Sequence, residues 1–525
     1  MKKCKSFITI GLLLLLLLVT NVNAFTARYS IAKYPSQSNE VIYHIFQRSF
    51  FDSNGDGHGD LNGITQKLDY LQQLGVTSIL LTPLYESVFY HNYFATDFYK
   101  IDPRYGTMHD YLKLIKELHR RHMKFYMDME IQYVAGDHIW FRDSYKNPQS
   151  KYSDYIVYTD KTNTHPVPIV SGVTELTGYD GITRKLVMVN LDNKQVQDYD
   201  YKLFKFWMDP NNDGKFDDGV DGFRLDHMMD NLDNVGRLPH LFSTLWNPLL
   251  GKLREVNPKI KFLAEQASWK SFGIDYLNPG GVDGVFAFQL AFAIRDFDKV
   301  KIINAADSTF LYTPAGKQQV VFIENHDMSR FSSIVKSDPG KLRIGCVLNL
   351  LIGGVPYIYY GQELGMMGAL SNSHSTDGED IPDRQAFEWY SADKGKGMAN
   401  WYKTWWLHNN DVSNDGVSLQ EERNNPKSLW NFYRLMIRLR KNNPVFIGGA
   451  YKNLNNNNDQ VYSFLRYKGN KRVIVVVNLS GKEQAAAIDE QCSAIKNLYG
   501  IVRPHINHNK ITASLPAYGI AVWEE

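Results

Sequence analysis

The stretch Asp221-Gly222-Phe223-Arg224-Leu225-Asp226-His227 has the character of a buried strand that carries charge on one of its faces. Side chains alternate faces along a strand, so Phe223 and Leu225 share one face while Arg224 and Asp226 share the other. An inward-facing ion pair costs desolvation energy that it rarely recovers. Two interpretations follow: a structural ion pair under a loop, or a carboxylate held by an arginine at the C-terminal end of a barrel strand, where such barrels place their active sites.

Seven further segments with strand character occur at regular intervals along the chain, separated in part by amphipathic helical segments such as 64–74 and 108–122. Alternation of strands and helices predicts a parallel sheet with helices outside it. Eight such strands, with acids at their C-terminal ends, predict an α/β fold of the (β/α)₈ TIM barrel type. The predicted strands are 41–50, 76–83, 124–131, 221–227, 261–266, 284–289, 320–327 and 355–361.

Two regions depart from this rhythm. Residues 132–197 are rich in Tyr, Asp, Asn and Thr and are too long for a plain loop, which predicts an inserted subdomain. Beyond residue 442 the helical period gives way to short strands, which predicts a separate C-terminal β domain over 443–525. The barrel would then consist of residues 38–131 and 198–442.

The N-terminus has the pattern of a targeting segment. Three lysines precede an apolar run over 7–19 that is short for a membrane span, and Val22-Asn23-Ala24 offers a small-residue cleavage site. The pattern predicts a signal peptide over residues 1–24 and a secreted or periplasmic protein with no stable membrane insertion after cleavage; an uncleaved anchor is the alternative. Without these residues, which hold three lysines and no acid, the formal charge of +2 becomes −1. A near-neutral chain gives no electrostatic case for binding nucleic acid.

Two acidic loops carry oxygen side chains at the spacing of a calcium-binding loop. Oxygen ligands fall at positions 1, 3, 5 and 9, with Gly at position 6 and a backbone carbonyl at position 7, so that alternate oxygens point at one centre. The usual Glu at position 12 is missing from the first loop, where Gly63 stands, and a polar turn is the alternative for both loops. The predicted Ca²⁺ ligands are Asp52, Asn54, Asp56, His58 and Asp60 in the first loop, and Asp209, Asn211, Asp213, Lys215 and Asp217 in the second.

The chain resembles the α-amylase superfamily of glycoside hydrolases (family 13 type) in several short motifs and in the framework between them. The resemblance runs from about residue 38 to the C-terminus, and it implies a catalytic barrel, a B subdomain after strand three and a C-terminal β sandwich. The signature-like segments are 221–227, 262–266 and 322–327, and the matching framework stretches are 102–107, 354–363 and 380–389.

The resemblance also implies a role for individual residues. Cleavage of an acetal needs a proton for the leaving oxygen and a partner for the oxocarbenium-like centre, and two carboxylates supply them. By resemblance Asp226 is the nucleophile, Glu265 is the general acid and then the base, and Asp327 binds ring hydroxyls. Burial and neighbouring acids should raise the pKa of Glu265, while an arginine keeps Asp226 ionised. The residues expected to contact or support the substrate are Arg224, His326, Tyr93 and Asp128.

Two segments depart from the family pattern. After strand three the family usually has Asp, three apolar residues and Asn-His, whereas this chain has Asp128-Met-Glu130-Ile-Gln132-Tyr133. Neither the calcium supported by that Asn nor the sugar contact made by that His is therefore carried over. After the nucleophile, the Lys-His of many starch-cleaving members is absent, and the chain reads His227-Met228-Met229-Asp230. The acceptor side of the site is expected to differ accordingly.

The expected function is retaining hydrolysis of α-glucosidic bonds, through a glycosyl-enzyme intermediate, in an oligosaccharide or polysaccharide substrate of the starch-like α-glucan or malto-oligosaccharide class. A transglycosylase or an exo-acting α-glucosidase on the same scaffold is the alternative, because loop shape near the acceptor decides between water and sugar. A non-catalytic glycan-binding relative is a third hypothesis, and it would predict a broken triad or a membrane anchor.

Overall fold

A computed structural model describes residues 38–232, 236–370, 376–392, 394–403, 412–507 and 510–525. The predicted signal peptide over residues 1–24 lies outside the described residues. Within the part of the chain that the structure describes, no helix combines the length and the apolar character needed to cross a membrane.

Eight parallel strands form a closed barrel in which each strand pairs with its neighbours in chain order, and the first strand pairs with the last. The predicted TIM barrel is confirmed, and every predicted strand overlaps an observed one. The predicted first strand was too long, because the short helix Gln47–Phe50 follows Ile45. The barrel strands are Ile42–Ile45, Ser78–Leu81, Lys124–Met129, Gly222–Met228, Lys261–Gln266, Gly284–Phe286, Gln318–Val321 and Val355–Tyr359.

Helices cover the outside of the barrel, and several begin at side-chain caps. Thr107 and Asp110 form a capping box at the start of Met108–Arg120, which satisfies amides of the first turn. On the fourth strand, Phe223 packs edge-on against Phe204 of a covering helix, with ring centroids 4.7 Å apart. The longer helices are Met108–Arg120, Lys194–Met208, Asn247–Val256, Phe288–Asp296, Lys299–Tyr312, Pro339–Leu351 and Leu429–Asn442. The shorter helices are Gln47–Phe50, Leu61–Gln66, Leu68–Leu74, Ile139–Ser144, Ile274–Leu277, Phe331–Val335 and Leu419–Glu422.

A five-stranded sheet lies outside the barrel and combines two segments of the chain. Strands within 132–197 pair with strands from the connection that follows the second barrel strand. The inserted segment is therefore tied by hydrogen bonds to an earlier loop. In sheet order these strands are Tyr85–Ser87, Ala95–Ile101, Tyr133–Ala135, Thr183–Met188 and Glu175–Thr177.

The C-terminal part of the chain is all-β, as predicted. A five-stranded sheet and a three-stranded sheet share one apolar core, which includes the fully buried Ile474, Ile511 and Trp523. In sheet order the strands of the larger sheet are Ala450–Asn453, Val461–Lys468, Lys471–Asn478, Ile520–Glu524 and Lys496–Tyr499. Those of the smaller sheet are Gln484–Ile488, Lys510–Leu515 and His505–Asn507.

Candidate active site

The fourth and fifth barrel strands pair with a slip in register where their acidic residues lie. Asp226 and His227 together stand opposite the single residue Glu265, which is the definition of a β-bulge. His227 has a left-handed backbone with φ 44°, a conformation that costs free energy for a residue with a side chain. Because a bulge bends the strand and re-aims its side chains, both Asp226 and Glu265 reach the same cavity.

Arg224 is buried behind these acids and contacts three carboxylates at once. Its Nη1 donates to Asp128 Oδ2 at 2.8 Å and also to Asp226, and its Nη2 donates to Glu265 Oε2 at 2.7 Å. Arg224 is 3% exposed, so water screens these contacts little. Three carboxylates around one cation leave an excess of negative charge, which favours retention of a proton on one of them.

The pKa values of two of these acids are raised. Burial is the main cause for Glu265 and lifts its pKa to about 8, against the opposing charge of Arg224 and with help from Asp226 and Asp327. Burial also raises the pKa of Asp128, again against Arg224. The same carboxylates hold the pKa of Arg224 well above its usual value although burial opposes this. Glu265 thus has the protonation state that a general acid needs at neutral pH.

A second arginine, Arg384, holds the other side of the cavity. Its Nη2 donates to Asp327 Oδ1 at 3.0 Å, and its Nε donates to the backbone oxygen of His326 at 2.9 Å. Its Nη1 donates to the Tyr90 hydroxyl at 2.7 Å, and Nη2 also lies 3.1 Å from Asp380 Oδ2. Arg384 is 3% exposed. The sequence stretch 380–389 matched the family framework, but only the structure shows that this arginine supports Asp327.

Tyr93 and His326 join the two sides of the cavity. The Tyr93 hydroxyl donates to Asp128 Oδ2 at 2.7 Å and lies 2.7 Å from His326 Nε2, and the two rings stack with centroids 5.4 Å apart. His326 Nε2 also lies 3.0 Å from Asp327 Oδ2. Burial, together with Arg384 and Arg224, holds the pKa of His326 well below its usual value, so the ring is neutral.

The cavity has a volume of about 530 Å³, and the five predicted residues Tyr93, Asp226, Glu265, His326 and Asp327 line it. Arg224 and Asp128, also predicted, contact that lining from behind. The structure therefore brings together all seven residues that the resemblance assigned to catalysis and substrate contact. Lining residues to which the sequence gave no role include His91, Glu130, Trp269, Asp377, Asp380 and Arg384.

The segment after strand three, where the chain departs from the family, braces the bulge. The Gln132 side-chain amide donates to the backbone oxygens of Asp226 and His227, both at 2.9 Å. The Glu130 carboxylate in turn accepts hydrogen bonds from the backbone and side-chain amides of Gln132. Gln132 and Glu130 thus support the backbone of the residue pair Asp226-His227 at the bulge.

In the first acidic loop, side-chain carboxylates accept hydrogen bonds from backbone amides of the same loop. Asp52 accepts hydrogen bonds from the amides of Asn54 at 3.0 Å and Gly57 at 2.8 Å, and Gly57 has the left-handed φ of 90°. Asp60 caps the helix Leu61–Gln66 and also accepts from the Ser53 amide. Among the described residues, no group of three or more His, Cys, Asp or Glu side chains converges as a metal site would require. Calcium binding by this loop stays a prediction.

The second acidic loop has the same kind of turn and one additional cation. Asp209 accepts hydrogen bonds from the amides of Asp213 at 3.1 Å and Gly214 at 3.0 Å. Lys215 Nζ lies 3.2 Å from Asp213 Oδ2. An ammonium on one of the predicted ligands competes with any metal ion, so this loop is the less favourable of the two.

A closed eight-stranded barrel with clustered acids at the C-terminal ends of its strands defines a class, the TIM-barrel enzymes with a carboxylate-based active site. Within that class, the family model for the alpha-amylase catalytic domain matches residues 44–449. The chain therefore belongs to the alpha-amylase family and is a glycoside hydrolase.

Individual relatives match this chain over most of its length. Alpha-amylase 3 from Dictyoglomus thermophilum is 27% identical, and the match covers 95% of each protein. An oligo-1,6-glucosidase from Bacillus cereus is 27% identical over 86% of this chain and 92% of that protein. The crystal structure of an alpha-amylase from H. orenii superposes with a TM-score of 0.77 at 28% identity, covering 92% of this chain and 99% of that one.

Proposed function

We propose that the protein hydrolyses α-glucosidic bonds in starch-like α-glucans or malto-oligosaccharides with retention of configuration. One observation carries this proposal: the bulge sets Asp226 opposite Glu265 on one cavity, and a buried arginine contacts both. Two carboxylates on one cavity, one of which has a raised pKa, are what glycoside hydrolysis requires. Their contact with a single guanidinium places them close together, as in retaining enzymes.

The first chemical step divides between these two acids. Protonated Glu265 gives its proton to the glycosidic oxygen, the bond from that oxygen to the anomeric carbon breaks, and a carboxylate oxygen of Asp226 bonds to that carbon. Arg224 contacts the Asp226 carboxylate and orients it for attack. Asp327, held by Arg384, accepts hydrogen bonds from ring hydroxyls and stabilises the distorted sugar.

The second step reverses the roles. Ionised Glu265 takes a proton from water, the water oxygen attacks the anomeric carbon, and the ester bond to Asp226 breaks. If a sugar hydroxyl takes the place of water, the product is a new glycoside. Transglycosylation and exo-acting α-glucosidase activity are therefore the second candidates, and the match to an oligo-1,6-glucosidase supports the latter.

Product analysis tests the proposal. Purified protein is incubated with amylose, maltotriose, pullulan and sucrose, and products are followed over time together with the anomeric configuration of the first product. Shorter saccharides released as the α-anomer support retaining hydrolysis. Products longer than the input indicate transfer, a released β-anomer contradicts retention, and the absence of any product contradicts the enzymatic proposal.

We also propose that the first acidic loop binds Ca²⁺ through side-chain oxygens of Asp52, Asn54, Asp56 and Asp60 and the carbonyl of His58. The spacing of alternate oxygens and the left-handed Gly57 at position 6 support this. Removing Ca²⁺ with a chelator should lower the melting temperature, and Asp56→Ala should reduce that difference to the part contributed by the second loop. An unchanged melting temperature would argue against the site.

We extend the calcium proposal to the second loop, with Asp209, Asn211, Asp213, Asp217 and the Lys215 carbonyl as ligands and with weaker affinity. Lys215→Ala removes the competing ammonium and should raise the Ca²⁺ affinity of the protein.

The leader pattern in the sequence supports the further proposal that the protein is exported. N-terminal sequencing of the exported protein should then find residue 25 first.

A further inference from the structure

Trp269 lies beside the proposed general acid and contacts it directly. The indole Nε1 donates a hydrogen bond to Glu265 Oε1 at 3.1 Å, and the half-buried ring lines the cavity. The ring stacks on Phe288, with centroids 4.7 Å apart and planes 8° apart. The Gln289 side-chain amide donates to the backbone oxygen of Trp269 at 2.8 Å. The start of the following helix, Phe288–Asp296, thus fixes the indole in place.

The two oxygens of Glu265 have different partners. Oε2 accepts from Arg224 Nη2 at 2.7 Å and from the backbone amide of His227 at 3.2 Å. Oε1 accepts from the neutral indole of Trp269 at 3.1 Å. Negative charge is best stabilised on the oxygen beside the guanidinium, so the proton of the neutral acid resides on Oε1.

We infer that Trp269 is a positioning residue for the reaction, because its indole N–H holds Oε1 of Glu265 as the oxygen that delivers the proton to the leaving group. The inference rests on the proposed role of Glu265. An indole N–H has no acceptor character, so it can hold the oxygen without taking the proton. One lone pair of Oε1 accepts the indole hydrogen, and the proton on Oε1 stays available to the glycosidic oxygen.

Burial is the main cause of the raised pKa of Glu265, and charged neighbours from several elements adjust it. Arg224 and Asp226 lie on the preceding strand, and Asp327 lies beyond the seventh strand. Tyr276, on the short helix after the fifth strand, is a further titratable neighbour. A hydrogen bond from the indole favours the ionised acid, so losing it must raise the pKa of Glu265.

The variant Trp269→Phe keeps an aromatic ring to stack on Phe288 and removes the N–H. We expect kcat to fall by about 10- to 100-fold, because the proton-bearing oxygen is no longer fixed. We expect the alkaline limb of the kcat/KM profile to move to higher pH by about half to one unit, the size of one neutral hydrogen bond. A residue with a purely structural role would lower activity without moving that limb.

The control is Phe292→Leu, which removes a ring that packs near the same indole, with centroids 6.3 Å apart, and leaves the N–H in place. Its pH profile should match that of the wild type. An unmoved limb in a folded Trp269→Phe protein overturns the inference. If Trp269→Phe does not fold, Gln289→Leu decides: it releases the Trp269 backbone and should move the limb in the same direction by less, and no movement overturns the inference.

A second measurement separates this inference from the proposed function. Infrared difference titration of wild type against Glu265→Gln reports the ionisation of this carboxyl without any substrate. The pKa found in this way should rise in Trp269→Phe, and an unchanged value overturns the inference. If the wild type cleaves no α-glucoside, the proposed function fails, whereas the titration still shows whether Trp269 controls Glu265.

Discussion

Arg224 and Arg384 are both buried at one cavity, but they stabilise their acids in different ways. Arg224 contacts three carboxylates whose side chains are at most 15% exposed. Arg384 contacts two carboxylates, Asp327 and Asp380, whose side chains are 30% and 34% exposed. Among the described residues, Arg384 also donates to two neutral oxygens, one from the His326 backbone and one from Tyr90.

This difference shows on which side of the cavity a carboxyl group can retain a proton. Around Arg224, acids outnumber the cation and burial removes water, so the pKa values of Glu265 and Asp128 rise. Around Arg384, solvent reaches both carboxylates and neutral oxygens complete the guanidinium's hydrogen bonds. The Arg224 side is therefore suited to nucleophile and acid chemistry, and the Arg384 side to binding.

The largest expected effect comes from removing the proposed nucleophile, Asp226, on the Arg224 side. Asp226→Asn should lower kcat by roughly 10⁴-fold or more, because no covalent ester can form. The melting temperature should change little, since the amide keeps the size of the carboxylate. Steady-state kinetics on maltotriose and thermal melting measure both quantities. Ordinary activity in this variant would exclude Asp226 as nucleophile.

The matched variant on the other side is Asp327→Asn. In the proposed mechanism Asp327 binds hydroxyls and forms no bond to the anomeric carbon. The loss of activity in Asp327→Asn should therefore be smaller than in Asp226→Asn and should affect KM as well as kcat. Equal losses with the same kinetic pattern would break the distinction between the two sides of the cavity.

The next largest loss of activity is expected when each arginine is replaced by lysine. An ammonium keeps the charge but cannot reach Asp128, Asp226 and Glu265 together, so Arg224→Lys should lower kcat/KM by about 100-fold. Arg384→Lys should lower it by about tenfold, because the two exposed carboxylates can be solvated by water. Kinetics of both variants on one substrate test the order. A larger loss for Arg384→Lys would reverse the assignment of the two sides.

The sequence predicted the barrel, and it placed the candidate acids at strand ends that the structure brings to one cavity. The repeat of strands and helices is visible as periodicity, and the acids of the triad occur at the ends of predicted strands. The two-residue spacing of Arg224 and Asp226 placed both on the inner face, as the structure shows. These features depend on the spacing of residues along the chain, and that spacing can be read directly from the sequence.

The supports of the site could not be predicted in the same way. The bulge at Asp226 and His227 is a slip between two strands, and periodicity within one strand does not fix the register to its neighbour. Arg384 lies in a 3₁₀ segment after the last barrel strand, and Trp269 lies in a loop. Only tertiary packing brings them to Asp327 and Glu265.

A smaller effect is expected in the pH dependence of kcat/KM, which tests how the Arg384 side influences Glu265 on the Arg224 side. Glu265 must be protonated to act as acid, so kcat/KM should be present below its raised pKa and fall as pH rises through about 8. Asp327 raises that pKa by its charge, so Asp327→Asn should move the alkaline limb to lower pH. Arg384→Lys keeps the charge and should leave the limb in place. Movement of the limb to higher pH in Asp327→Asn would contradict the electrostatic account.

The smallest expected effect separates the two tyrosines that hydrogen-bond on either side. Tyr90→Phe removes an acceptor from Arg384, which keeps its other partners, and a donor to the Asp377 backbone oxygen at 3.0 Å. We therefore expect about 1–1.5 kcal/mol of lost stability. Tyr93→Phe removes a donor from the fully buried Asp128 carboxylate, so we expect a larger loss of about 1.5–3 kcal/mol. Denaturant unfolding of both variants measures the difference. A larger loss for Tyr90→Phe would contradict this account, because the side of the cavity that solvent reaches would then depend more on its hydrogen bonds than the buried side.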